Sequence, residues 1–132
     1  VETVLNPAPA NKPSDILLQN TSWFIPNEIE FEEIYGDIFN ENNLLLFAKN
    51  VDTNVVVTLG EKGCAYIENN SVKIIKADSV KAIDTTGAGD AFVGAFSFAL
   101  ASKLDIEECL KLALKKATDS VTKKGTQSSY KN

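Results

Sequence analysis

The stretch Asn54-Val55-Val56-Val57-Thr58-Leu59 indicates the fold class most clearly. It is rich in β-branched residues and does not alternate between polar and apolar positions, as is typical of a strand that is buried on both faces. We therefore predict that it lies at the centre of a parallel or mixed sheet. Outside this stretch, short β-like runs alternate with helical ones. The sequence thus predicts an α/β fold in which helices flank a layered sheet.

The elements on either side of this strand follow from turn and capping residues. Before it, the pattern predicts strands over 1–5 and 22–25, a short helix over 14–18, and helices over 27–35 and 41–49. After it, we predict a turn over 60–63, a hairpin of strands 64–67 and 72–76, and a strand over 80–83. The last helix is predicted to begin at Asp105 and to close near Lys123, Lys124 and Gly125, because acidic caps, basic last turns and final glycines are typical of helix ends. Its predicted apolar face consists of Ile106, Cys109, Leu110, Ala113, Leu114, Ala117 and Val121.

The composition excludes several classes of function. The 132 residues include 18 acidic and 13 basic side chains, a formal charge of -5, so a basic nucleic-acid-binding surface is not expected. The chain has no His and no Arg. His-dependent triads and His-ligated metals are therefore excluded, and a bound anion would be held by backbone N–H groups, Lys or a cation. No apolar run approaches the roughly 20 residues of a membrane-spanning helix, so no membrane partner is expected.

Two further features bear on the setting and extent of the chain. Cys64 and Cys109 have no Cys-x-x-Cys partner, which fits reduced core thiols and predicts a cytoplasmic protein. Position 1 is Val rather than Met, and we therefore expect a processed chain or a piece of a longer protein.

The stretch Asp84-Thr85-Thr86-Gly87-Ala88-Gly89-Asp90 carries the predicted chemistry. It precedes an apolar run over 91–101, predicted to be a buried helix. Its N–H groups would therefore converge at the positive end of a helix dipole and bind an anion such as phosphate. Asp90 in the first helical turn would be placed to accept a proton from an attacking hydroxyl. The same pattern also serves simply as a helix cap, and the spacing does not separate the two interpretations.

Residues 84–95 resemble the carboxyl-terminal signature of the ribokinase-like, or phosphofructokinase B-type, carbohydrate kinases. Four other segments resemble this family in the same order along nearly the whole chain: Leu5-Asn-Pro-Ala-Pro-Ala10, Pro26-Asn-Glu-Ile-Glu30, Val57-Thr-Leu-Gly-Glu-Lys-Gly63 and Val121-Thr-Lys-Lys-Gly-Thr-Gln-Ser-Ser-Tyr130. The resemblance implies a ribokinase-like, Rossmann-type layered sheet. Residues 1–132 are then its C-terminal, nucleotide-binding part, since the family's sugar-binding paired-glycine motif and β lid have no counterpart here.

The resemblance implies catalytic roles for the glycine-containing loop. By similarity, Asp90 is the base that takes the proton from the sugar hydroxyl, and Gly87, Ala88 and Gly89 supply N–H groups to the γ-phosphoryl. The same resemblance implies an ATP site that includes Asn27, Glu30, Thr58, Gly60, Gly63, Gly89 and Leu114. Leu114 stands at the adenine-proximal position, where the family usually has Asn or His.

Several of these residues also have a purely local interpretation. Asn27 and Glu30 match the family's Asn-x-x-Glu motif, which is associated with ATP phosphates and Mg²⁺, and the same pair makes a capping box. Thr58, Gly60 and Gly63 also read as a tight turn after a buried strand.

A potassium site is also implied by the resemblance. It would lie beside the glycine-containing loop and would use mostly backbone carbonyl groups, from Asp84, Thr86, Ser120, Lys123, Gly125 and Ser129. Read locally, residues 120–129 are an ordinary helix end followed by a loop.

The activity implied by the resemblance is phosphoryl transfer from MgATP to the 5-hydroxyl of ribose, with Mg²⁺ and K⁺ as cofactors. The first and last matching segments are most similar to the ribose-phosphorylating members, and a full-length protein would be a homodimer through the lid that is absent here. Two alternatives stay open. The chain could be a non-catalytic nucleotide-binding or structural fragment, or the substrate could be another sugar or a nucleoside such as adenosine.

Overall fold

A computed structural model describes residues 3–5, 22–77 and 88–130 of the chain. The helix predicted over 14–18 and the strand predicted over 80–83 lie outside these residues. The described elements are, in chain order, β1 (Val4–Leu5), β2 (Trp23–Phe24), α1 (Glu28–Tyr35), α2 (Glu41–Val51), β3 (Asn54–Thr58), a 3₁₀ turn (Gly60–Lys62), β4 (Cys64–Glu68), β5 (Ser71–Ile75), α3 (Ala88–Ala101) and α4 (Ile106–Tyr130).

The described strands form one sheet in the order β1-β2-β3-β4-β5. β2 pairs in parallel with both β1 and β3, with Val4 opposite Trp23 and Phe24 opposite Val55. β3 lies in the middle of this order, and its three central valines, residues 55–57, are buried. The α/β class and the central position predicted for this strand are both confirmed.

Local capping sets the bounds of the two helices between β2 and β3. Asn27 caps α1 at its start, and Gly36 ends it in the left-handed conformation with φ 90°. Asn40 caps α2 by accepting a hydrogen bond from the Asn43 N–H at 2.7 Å, and Asp52 ends it with φ 52°. α2 therefore runs to Val51, slightly beyond the predicted end at 49. These crossover helices allow β2 and β3 to pair in parallel.

The predicted hairpin is confirmed as β4 and β5. Its two connecting residues, Asn69 and Asn70, have φ values of 53° and 62°. Positive φ at both central positions is the requirement of a type I′ turn, whose twist matches that of the flanking strands. Asn adopts this conformation more easily than most residues, which is why the pair ends one strand and begins the next.

The chain divides into two compact units. The first comprises Val1–Leu59 and Ala65–Ile74. Its core contains an aromatic cluster in which the Phe31 ring lies 5.4 Å from the Tyr35 ring, 5.5 Å from the Phe39 ring and 5.4 Å from the Phe47 ring, centroid to centroid. Phe24 of β2 joins the cluster at 6.1 Å from Phe47. This packing holds α1 and α2 in the same core as the parallel strands.

The second unit comprises Gly60–Cys64 and Ile75–Asn132. Within it, α3 packs along α4. The α3 side of the core includes Phe92, Phe96 and Ala99, and the α4 side consists of Cys109, Leu110, Ala113 and Leu114. Asp105 caps α4 as predicted, because its side chain accepts a hydrogen bond from the Glu108 N–H at 2.8 Å. No helix in the described ranges is both long enough and apolar enough to cross a membrane.

Two predictions about these helices are corrected. The run over 91–101 was predicted to be a buried helix, but the Phe98 side chain is 69% exposed, and Gly94 and Ala101 are exposed on the same helix. One side of α3 is therefore buried and the other is exposed, although the helix is apolar in sequence. α4 does not close near Gly125 but continues to Tyr130. A glycine within a helix costs about 1 kcal/mol relative to Ala, which weakens a helix without ending it.

The prediction of reduced core thiols is confirmed. Cys64 and Cys109 are both buried and free. Burial raises the pKa of the Cys64 thiol to about 12. The Cys109 thiol lies 3.5 Å from the Leu104 carbonyl oxygen and donates to it.

Candidate functional site

The carboxyl ends of β2 and β3 bring two predicted nucleotide-binding residues together. Asn27, just after β2, forms a parallel bridge with Thr58 at the end of β3. The Thr58 N–H donates to the Pro26 carbonyl oxygen at 3.0 Å, which extends the ladder beyond the last residue of β2. In open α/β sheets, ligands bind outside the carboxyl ends of the parallel strands. Asn27 and Thr58 therefore lie at the edge where a ligand site is expected.

A reciprocal pair of hydrogen bonds joins a third predicted residue to this edge. The Asn27 side-chain oxygen accepts from the Glu30 N–H at 2.7 Å, and Glu30 Oε1 accepts from the Asn27 N–H at 2.8 Å. This confirms the capping-box interpretation of the pair. It also holds the Glu30 carboxylate beside the start of α1. Among the described residues, Oε2 of Glu30 has no hydrogen-bond partner, so one carboxylate oxygen stays available to a ligand.

The turn that follows β3 is shaped by two glycines. Gly60 and Gly63 have φ values of 63° and 109°, and the Gly63 N–H donates to the Gly60 carbonyl oxygen at 3.1 Å. A Cβ atom at Gly63 would overlap the Ile75 carbonyl oxygen and would lie 2.9 Å from Lys76 Cα. The predicted turn is confirmed, and Gly63 is required by this close approach. No sequence signal near Gly63 predicts its close contact with residues 75 and 76. Only the predicted pairing of β4 with β5 could have indicated this contact.

The glycine-containing loop is described only in its last part. Ala88, Gly89 and Asp90 are the first three residues of α3, so their N–H groups have no intrahelical acceptor. This backbone agrees with the prediction that a helix begins within the motif. Asp84, Thr86 and Gly87 lie outside the described residues. The roles predicted for Asp90 and for the loop N–H groups therefore stay predictions.

The carboxyl-terminal positions of the predicted site lie on α4. Leu114 is 7% exposed in the core of the second unit, so the structure leaves little of its side chain for a nucleotide to contact. Ser120, Lys123, Gly125 and Ser129 all lie within α4, where the local interpretation predicted a helix end and a loop. Helical carbonyl groups accept hydrogen bonds from N–H groups one turn later. These positions have a helical backbone, and their role in a cation site stays a prediction.

The described residues offer little for direct metal ligation. Within these ranges, no group of three or more His, Cys, Asp or Glu side chains could hold a metal ion. The single free oxygen of Glu30 suits contact with a hydrated Mg²⁺, because this ion gives up its waters reluctantly and usually keeps several of them. The donor set therefore fits a water-mediated magnesium contact rather than a protein-built metal cage.

Known proteins resemble the chain over its whole length. The profile of the pfkB family carbohydrate kinases matches residues 1–132. A ribokinase of Haemophilus influenzae is 42% identical over 135 residues, which cover 98% of this chain and 44% of that protein. A deoxyribokinase of Salmonella typhi is 39% identical over 136 residues, with coverages of 98% and 44%. This chain thus spans less than half the length of these relatives.

Solved structures show the same likeness in three dimensions. A ribokinase of Thermotoga maritima has a TM-score of 0.82 and 34% identity, over 97% of this chain and 45% of that one. A ribokinase of Arabidopsis thaliana, solved with ribose and ATP, has a TM-score of 0.81 and 26% identity, over 92% of this chain and 42% of that one. Because the family profile matches residues 1–132 and the fold is ribokinase-like, the chain belongs to the pfkB family of carbohydrate kinases.

Proposed function

We propose that the chain is the nucleotide-binding part of an ATP-dependent kinase that phosphorylates a hydroxyl group of a sugar. The arrangement of Asn27, Glu30 and Thr58 at the carboxyl ends of two parallel strands carries this proposal. These three residues, which we propose as part of the ATP site, lie at an edge where α/β proteins bind ligands. The kinase names of the relatives, and the ribose and ATP in the Arabidopsis thaliana structure, support the same function.

In the proposed reaction, Asp90 accepts the proton of the sugar hydroxyl as its oxygen attacks the γ-phosphorus of ATP. The bond from that phosphorus to the bridging oxygen breaks, and ADP leaves. N–H groups of Gly87, Ala88 and Gly89 stabilise the negative charge on the transferring group, as oriented backbone donors do in other transfer enzymes. Positioning and charge stabilisation supply most of the catalysis of phosphoryl transfer. A chain without His or Arg can therefore carry these roles.

We propose Mg²⁺ as the partner of ATP, held by the nucleotide and approached through water by Glu30. When bound, it would neutralise charge on the phosphates.

The K⁺ site is supported by the resemblance in the sequence, while α4 has a helical backbone at its carboxyl-terminal positions. Comparing the activity in potassium and in sodium salts tests it. Activity that is equal in the two salts counts against the site.

Ribose is the proposed substrate, and deoxyribose is the nearest competitor because the relatives include both ribokinases and a deoxyribokinase. We also propose a cytoplasmic homodimer for the full-length protein. The substrate is tested with the longest open reading frame that includes residues 1–132, by following ADP release with ribose, deoxyribose, fructose and adenosine in parallel. We expect the highest kcat/KM with ribose. A higher value with deoxyribose would reassign the sugar without affecting the kinase class.

The catalytic role of Asp90 is tested in the same protein. Asp90→Asn removes the base and retains the backbone donors, so we expect turnover to fall by at least about 1,000-fold while ATP binding changes less than about threefold. Asp52→Asn is the matched control. It removes an exposed carboxylate at a helix end with φ 52°, a conformation that Asn also adopts. Retained turnover in Asp90→Asn, or equal loss of turnover and ATP binding, would contradict the assignment.

A second candidate function follows from the coverage of the relatives, which is 44% of their length. Residues 1–132 alone would then bind nucleotide weakly and would not close over a sugar. We expect no ribose-dependent ADP release from these residues alone. Robust turnover by the isolated chain would exclude this candidate and would show that 132 residues suffice.

A further inference from the structure

The exposed side of α3 is apolar. Phe98 is 69% exposed, and Gly94 and Ala101 are exposed on the same helix. Residues three and four apart are neighbours on a helix surface, so these three positions lie on one face. A Cβ atom built at Gly94 would meet no atom within 4 Å beyond its chain neighbours and its own helix backbone, so the space at this position is open. We call Gly94, Phe98 and Ala101 the open face of α3.

The exposed side of α4, in the same unit, has the opposite chemistry. Its exposed positions include Glu107, Lys111 and Lys115, and Lys111 Nζ lies 2.8 Å from Glu107 Oε2 in an ion pair. Residues 91–101 of α3, by contrast, contain no charged side chain. A helix that is hydrophobic all round is typical of one that is buried on all sides. The composition of α4 therefore fits contact with water, whereas that of α3 fits a helix whose open face is covered.

The relatives contain enough additional polypeptide to supply such a cover. This chain spans 44% of the Haemophilus influenzae ribokinase and 45% of the Thermotoga maritima ribokinase chain, so more than half of each lies outside the matched part. Exposed apolar surface often marks contact with another protein surface. The small residues Gly94 and Ala101 allow the backbone of another element to approach closely, and the distance between packed helices depends on the side chains at their contact. The open face therefore suits close packing by an apolar element.

We propose that the open face of α3 packs against an apolar element of the full-length protein that lies outside residues 1–132. This inference rests on the proposal that the chain is part of a longer kinase, and it does not require kinase activity. It also accounts for the corrected prediction about α3, which has the sequence of a buried helix because the longer protein buries its second side. Asp90 lies one turn before Gly94 on the same helix. Packing at the open face would therefore fix the proposed base relative to the rest of the protein.

The test labels thiols in the full-length protein with iodoacetamide and reads each position by peptide mass spectrometry, which separates the new thiols from Cys64 and Cys109. Phe98→Cys and Ala101→Cys place a thiol on the open face, and Lys111→Cys places one on the exposed side of α4 as the matched control. Each labelling rate is divided by that of the same variant in urea. We expect both open-face thiols to react at least about 10-fold more slowly than the control, because a covered thiol reacts only through local opening. Ala101→Cys is a small change, so it keeps the test usable if loss of the Phe98 ring unfolds the protein.

A cross-linking experiment identifies what covers the face. With p-benzoylphenylalanine in place of Phe98, we expect a light-induced cross-link to a residue of the same polypeptide outside residues 1–132. A cross-link to a residue within 1–132 would overturn the proposal. So would slow labelling that becomes fast on dilution together with a cross-linked dimer, because a second copy would then be the cover. An open reading frame that encodes only these residues would overturn it as well.

The labelling result is independent of turnover. If the full-length protein has no kinase activity but both open-face thiols are protected, the proposed function fails and the packing proposal stands. If sugar-dependent ADP release is present while the thiols of Phe98→Cys and Ala101→Cys react as fast as that of Lys111→Cys, only the packing proposal fails.

Discussion

Substitutions at Glu30 can distinguish its structural role as part of a helix cap from its proposed role in nucleotide binding. Its Oε1 atom accepts the Asn27 N–H at 2.8 Å, while Oε2 has no partner among the described residues. Glu30→Gln keeps an amide oxygen that can accept the same hydrogen bond and removes the charge. Glu30→Ala removes both. Glu28→Gln is the matched control, because it removes a charge from the same first turn of α1 and leaves the capping box intact.

The expected changes in stability follow from the capping geometry. Loss of a capping interaction costs about 1 kcal/mol, and loss of an acidic charge near a helix start costs about 0.3–1 kcal/mol. We therefore expect Glu30→Ala to lower the free energy of unfolding by about 1–2 kcal/mol. Glu30→Gln and Glu28→Gln lose only the charge, so each should lower it by no more than about 1 kcal/mol.

The two Gln variants should differ in catalysis. If Glu30 orients the waters of the nucleotide-bound Mg²⁺, Glu30→Gln should reduce kcat/KM for MgATP by about 10-fold to 100-fold, the range typical of groups that act through metal-bound water. Glu28→Gln should stay within about twofold of the wild type, because the half-buried Glu28 is not one of the proposed nucleotide-binding residues. The measurements are urea unfolding and steady-state kinetics at several magnesium concentrations, all on the full-length protein.

One result would refute the reasoning about Glu30. If Glu30→Gln has the same stability and the same kcat/KM as Glu28→Gln, the carboxylate serves only as a helix cap. A loss of activity in Glu30→Ala alone would then reflect the weakened start of α1.

The remaining predictions concern stability and pH. Gly63→Ala should lower the free energy of unfolding by at least about 2 kcal/mol more than Gly60→Ala, because both require positive φ but only Gly63 also contacts another strand; equal urea midpoints would contradict this. Burial raises the pKa of the Cys64 thiol from its ordinary value of 9.0 to about 12. The unfolded thiol therefore ionises first, and stability should fall as pH rises from 9.0 towards 12, by up to about 1.4 kcal/mol per pH unit. Cys64→Ala should lack this component in urea titrations at several pH values, and parallel pH profiles for the two proteins would argue against it.

Much of the fold is predictable because its determinants are local. The run of valines in β3 is typical of a strand buried on both faces, and it lies at the centre of the sheet. Asn27 and Gly36 set the ends of α1 through their own hydrogen bonding and φ, and Asp105 sets the start of α4 in the same way. Such signals act within a few residues, so they can be read without knowledge of the packing.

The exposure of individual residues in α3 and the length of α4 could not be predicted from the local sequence pattern. α3 is apolar almost throughout, and the sequence does not show that Phe98 is exposed while Phe92 and Phe96 are buried. Which side of α3 is buried is determined by its packing in the tertiary structure, which includes contact with α4. The end of α4 was mistaken because Gly125 and its preceding lysines resemble a stop signal, while the hydrogen bonds of a continuing helix outweigh the cost of one glycine.

For the candidate site, the sequence by itself determined the residue types: a capping pair, a glycine turn, and a glycine-containing loop that opens a helix. The tertiary structure decided which of them meet. Asn27 lies beside Thr58 because β2 and β3 pair in parallel and end at the same edge of the sheet. Gly63 lies against the backbone of Ile75 because β5 pairs with β4. Chain composition sets what chemistry is available, and strand pairing between distant residues sets where that chemistry is concentrated.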